Sequence, residues 1–161
     1  MGMPAGVHAS AHAGAHAGAH MAAADDHAGH GGHAGMLPPD ARVPVQFPPP
    51  MRAHTLANMR DHLAALAEIQ QALADGRWDA AADTAERRLG MSSLHDHGAH
   101  EVARFMPPAM QAAGTAMHRS ASRLAVAARD AGATGDLRSA QAALAGLTQT
   151  CVACHAGFRL E

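Results

Sequence analysis

Two cysteines and a histidine fall together near the end of the chain, in Cys151-Val152-Ala153-Cys154-His155, and the chain has no other cysteine. Two thiols three residues apart, followed at once by an imidazole, form the pattern of covalent c-type haem attachment. Each residue type has a task. The thiols add across two vinyl groups to give thioethers, and the adjoining imidazole reaches the iron. Three other chemistries use similar residues. A thioredoxin-type pair sits at a helix start beside a βαβ pattern, whereas this one lies near the end of a helical stretch. A structural zinc site takes four ligands, and only half a set is local. A disulfide across so short a loop would restrain little of the unfolded chain.

The elements that must position these residues are helices. The 161 residues suit one domain, or a small domain with a tail. Aromatics are scarce, with three Phe, one Trp and no Tyr, and β-branched residues are few. That composition argues against a β-sandwich or barrel. From Met51 onward the apolar residues follow a helical period. A first helix over 51–73 carries the stripe Leu56, Met59, Leu63, Leu66 and Leu73, and Asp75-Gly76 ends it. A second helix covers 78–89, with Gly90 as its stop. The stretch 91–106 is less regular. A third helix starts at Pro107-Pro108, with Met110, Gly114, Met117, Ala121, Leu124 and Ala128 on one face and Gly132 as its end. A fourth starts after the N-cap Asp136 and runs to the C-terminus, with Leu137, Leu144, Leu147, Cys151, Cys154 and Phe158 on one face. Four helices with short links imply an all-α, antiparallel four-helix bundle, with a less simple crossover at the Gly90–Pro107 link. Its apolar side chains are few and small, which leaves room for a prosthetic group inside.

Residues 1–50 differ from 51–161. They hold His8, His12, His16, His20, His27, His30 and His33 in Ala/Gly filler, then a proline-rich connector through Pro48-Pro49-Pro50. Such a segment buries too little surface to offset its conformational entropy, so it reads as a disordered tail before the haem domain. Histidines every four residues suit divalent Cu, Zn or Ni, but Ala-Gly content disfavours the helix that would align them, and weak, unselective binding is expected. Residues 1–21 lack the basic and apolar regions of a signal peptide.

The segment 51–161 resembles the cytochrome c′ and cytochrome c-556 superfamily, four-helix bundles with the haem motif close to the C-terminus. Their ending, C-x-x-C-H-x-x-[aromatic]-R, is matched by Cys151, Cys154, His155, Phe158 and Arg159. A second match lies in the first helix, where the family has an arginine, then the residue covering the distal haem face, then a methionine; here these are Arg52, Leu56 and Met59. The missing tyrosine and the histidine-bearing 90–107 link depart from the family pattern. The resemblance implies one haem c bound by Cys151 and Cys154, with His155 as proximal ligand. It also implies that Arg159, one turn beyond His155 on the last helix, sits near the haem edge, where its charge could act on the iron or pair with a propionate. A solvated last-turn arginine is the alternative. A periplasmic protein is implied as well, because c-type haem is attached on the exported side of the bacterial membrane. Periplasmic redox partners and a homodimer through the first helix go with it.

The sixth iron position then sets the function. An apolar cover leaves the iron open to NO or CO, whereas a methionine ligand suits electron transfer. Leu56 is the expected cover; Met59 is the alternative as ligand, and Met51 and His54 are further candidates, although His54 falls off the Leu56/Met59 stripe. Outside the motif, His95, Asp96, His97 and His100 have the spacing of a surface metal site, or are solvated loop residues. Met106, Met110, Met117 and His118 could suggest Cu(I), but core packing suits them better. The expected function is electron transfer or small-gas binding without catalysis, since no nucleophile–base pair stands out. Two alternatives remain: a metal-stress protein working through its tail, and an enzyme with peroxidase or NO-reducing activity, for which the distal charge of Arg52 is the one hint. The net charge of −2 gives no footprint for nucleic acid, and no run is long enough for a transmembrane helix.

Overall fold

Proline and aspartate set the helix starts. Pro49 opens α1 (Pro49–Ala74) and Pro108 opens α4 (Pro108–Thr134), where a missing N–H costs nothing. Asp136 caps α5 (Leu137–Gly157), its carboxylate accepting from the Arg138 amide at 3.1 Å. Gly76 and Gly135, at φ 68° and 78°, supply the left-handed turns that end α1 and α4. The structure, a computed structural model, describes residues 39–161, which form one unit. The remaining elements are β1 (Val43–Val45), α2 (Trp78–Thr84), a π-helical turn (Ala85–Leu89), a 3₁₀ turn (Met91–Ser93), α3 (Ala99–Ala103) and β2 (Phe158–Leu160). The described residues are mostly helical, as the composition and period predict. No helix among them is long and apolar enough to cross a membrane.

The main core joins α1, α2, α4 and α5. Ile69, Leu89, Leu124 and Leu147 are fully buried, and alanines such as Ala65, Ala81, Ala121 and Ala140 fill the spaces between them. A second cluster forms near the end of α5 from Val45, Phe47, Val102 and Met110, with Met106, Cys154, Phe158 and Leu160 packed on it.

The structure departs from the sequence expectations at four places. The stripe of α1 is rotated: Leu63 is 70 % exposed, while Thr55, His62, Ala65, Ile69, Ala72 and Leu73 are buried. Residues 39–50 are not part of a loose tail. Val45 and Phe47 alternate with exposed neighbours and bury themselves, and Val43–Val45 pairs in parallel with Phe158–Leu160. The last helix stops at Gly157, because the chain there turns extended to join that ladder, so Arg159 lies on β2 and not on a further helical turn. Gly132 lies within α4 instead of ending it. A Cβ there would come within 2.9 Å of Trp78, so glycine is needed for close approach of the two helices.

Candidate functional site

A cavity of about 540 Å³ opens beside the last turns of α5. Its walls come from α1, the 91–106 segment, the first half of α4, and β2. It gathers Arg52, Leu56 and Met59 from α1 with Cys154, His155 and Arg159, residues far away in the sequence. Cys151 lies one turn before Cys154, half-buried against the main core, with its Sγ 3.7 Å from the Leu147 carbonyl. Both thiols are free. Burial pushes both up from the usual thiol range, so they stand as neutral thiols. His155 is exposed at the cavity rim.

Three arginines line the same space. Arg42 is held by Asp40 through bonds of 2.6 and 2.9 Å. Arg159 pairs with Glu161 and lies 3.7 Å from Asp40. Arg52 makes no ion pair among the described residues.

Sequence reasoning missed His62, and it did not bring His97 and His118 to the haem motif. The structure sets all three on the cavity's inner wall. His62 of α1, His97 and His118 of α4 bring their rings to 4.7 Å (62–97), 5.5 Å (97–118) and 6.1 Å (62–118) between centroids. His118 donates from Nδ1 to the Leu89 carbonyl at 2.8 Å, a group left open where the π turn ends. Ser93 donates its hydroxyl proton to the Gly90 carbonyl at 2.8 Å, so it accepts from His97 Nδ1 at 3.3 Å. The His97 carbonyl in turn accepts from His54 Nε2 at 2.8 Å and from Asn58 at 3.1 Å. That bond occupies His54, which is not among the residues lining the cavity. Burial lowers His62 to about 4, helped by the His97 and His118 rings, and burial also lowers His97. Both are therefore neutral near pH 7. A signal for His62 was present: Thr55, His62 and Ile69 recur at seven-residue steps, which keep one helical face.

Three buried side-chain polar atoms among the described residues have no hydrogen-bond partner: Thr55 Oγ1, His62 Nε2 and Arg159 Nε. All three belong to residues that line this one cavity. Arg159 Nε still faces the Asp40 carboxylate at 3.7 Å, which leaves Thr55 Oγ1 and His62 Nε2 as the two groups without any polar neighbour, against the rule that buried polar groups are satisfied.

The other expected metal groups fare differently. His95, Asp96 and His100 lie outside the cavity lining, and among the described residues no three His, Cys, Asp or Glu side chains are set to hold an ion between them. Met110 and Met117 are buried, with Met117 in the main core. His8, His12, His16, His20, His27, His30 and His33 lie outside the described residues. The chain matches no protein-family model, no curated protein and no solved structure.

Proposed function

We propose that this chain is a periplasmic c-type cytochrome of cytochrome c′-like architecture, an antiparallel bundle of α1, α2, α4 and α5 around one covalent haem, serving electron transfer and the binding of small gases such as NO or CO. The observation that carries this reading is the shared cavity: Cys154 and His155 at the end of α5 and the Arg52, Leu56 and Met59 set of α1 line it together, while Cys151, one turn back, packs on the main core beside it. Its volume lies within the roughly 300–1,000 Å³ usual for ligand and cofactor sites. The donor set fits a c-type haem, with two free thiols one turn apart, an imidazole beside the second, and lining residues that carry unpartnered polar atoms.

When bound, the haem supplies an iron that changes oxidation state and accepts axial ligands. The chain's own residues do the rest. Cys151 and Cys154 would tether the group at the end of α5, and His155 would offer its imidazole to the iron. Arg52 offers a charge that no carboxylate among the described residues neutralises, suited to a propionate. Leu56, Met59, Val102 and Met106 keep the space apolar and exclude water, which favours a stable redox centre.

The test is expression with a c-type maturation system. A coloured product whose mass exceeds the bare chain by one haem, lost in Cys151→Ser/Cys154→Ser, is expected. A colourless product at the mass of the bare chain overturns the proposal.

A further inference from the structure

Three residues of α1 that line the cavity bear on the sixth iron position, and they differ in what they lack. Leu56 has no donor atom. Met59 is half-buried, and its thioether is content in apolar surroundings. His62 is only 8 % exposed, and its Nε2 has neither solvent nor a hydrogen-bond partner. A buried imidazole nitrogen left so is costly unless a partner arrives.

We infer that His62, and neither Leu56 nor Met59, is the side chain that this cavity presents to the distal side of the haem iron, so that the centre is held between two imidazoles, His155 and His62. The inference rests on the c-type haem reading and goes beyond it by assigning the sixth position.

The surroundings support the assignment. His62 lies on α1, a different wall from the α5 end that carries His155, and both line the same space. The rings of His97 and His118 pack against it at 4.7 and 6.1 Å, and they are fixed by Ser93 and the Leu89 carbonyl. They restrict how His62 can turn by packing against its ring, with no hydrogen bond to it. A ligand of this kind favours a low-spin iron suited to electron transfer, and an incoming gas must displace it.

The experiment uses the matured full-length holoprotein and reads its ferric absorption and electron paramagnetic resonance spectra. The wild type is expected to be low-spin with a bis-imidazole pattern. His62→Leu is expected to lose that pattern, become high-spin, and bind CO faster in the ferrous state. His62→Gly guards against a packing artefact, because added free imidazole should restore the low-spin spectrum. Met59→Leu should retain it. A high-spin wild type, an unchanged spectrum in His62→Leu, or conversion by Met59→Leu instead overturns the inference while leaving the cytochrome reading intact. So does one extra metal ion per chain that is lost in His62→Leu while the iron stays high-spin. Failure of the wild type to carry haem overturns both readings and is recognised by the missing mass and colour.

Discussion

His118 on α4 donates its Nδ1 proton to the carbonyl of Leu89, 2.8 Å away, and so joins α4 to the end of the π turn. Both residues are buried, at 7 % and 1 % exposure. The π turn widens the helix by one residue and leaves this carbonyl free for a side chain. His118→Phe keeps a ring but leaves the carbonyl without a donor. A loss of about 1–3 kcal/mol is expected, read from the urea midpoint. An unchanged midpoint would show that the bond contributes nothing.

Acid should destabilise the chain in a defined window. His62 sits near 4 in the fold because burial opposes its charged form, and His97 is shifted in the same direction by the same cause. The unfolded chain therefore binds these protons first, below the ordinary value of 6.5. Stability is complete above that value and falls as pH drops from 6.5 toward about 4. Asp61, held low by the Arg88 guanidinium at 2.5 Å, adds a further loss only at lower pH, below its ordinary 3.8. Urea midpoints of the haem-free chain between about pH 7.5 and about pH 4, with chelator present, test this; a flat profile would refute it.

Phe47 should matter as a core residue does. It is 6 % exposed, packs edge-on against Phe105 at 6.0 Å, and sits beside β1. Phe47→Ala is expected to cost about 3–5 kcal/mol, visible as a lower thermal midpoint. If residues 39–50 were loosely attached, the substitution would be silent.

Two glycines should respond with opposite sign to the same added methyl group. Gly132→Ala forces a Cβ within 2.9 Å of Trp78, and overpacking of this kind costs about 1–3 kcal/mol. Gly146 of α5 has nothing within 4 Å of that position, so Gly146→Ala should gain about 0.5–1 kcal/mol of helix stability. Denaturant titrations of the two variants decide it.

The helices were legible because most of their starts and stops are written in Pro, Asp and Gly, Gly132 being the exception, and because their apolar residues recur at helical spacing. The Cys151–His155 motif was legible because its chemistry is local in sequence. The short ladder between Val43–Val45 and Phe158–Leu160 was not, since so brief a strand gives little period and its partner lies at the other end of the described chain. The same ladder explains Arg159, whose place follows from the chain turning extended at Phe158. His62 was hidden by its neighbour. Leu63 is the more apolar residue and extends the stripe from Met59 equally well, yet the helix buries Thr55, His62 and Ile69. A register difference of one residue, about 100° on the helix, separates a polar cavity wall from an apolar seam.

Trp78 wedged over Gly132 has a practical consequence. The chain has one tryptophan and no tyrosine, so its near-ultraviolet emission is dominated by a single ring at a single helix crossing. The stretch of α4 from His118 to Gly132 spans about 21 Å at helical rise. Emission from that indole therefore watches the far end of the molecule from the thiols, and comparing it with a signal from the cavity would reveal whether the two ends come apart together.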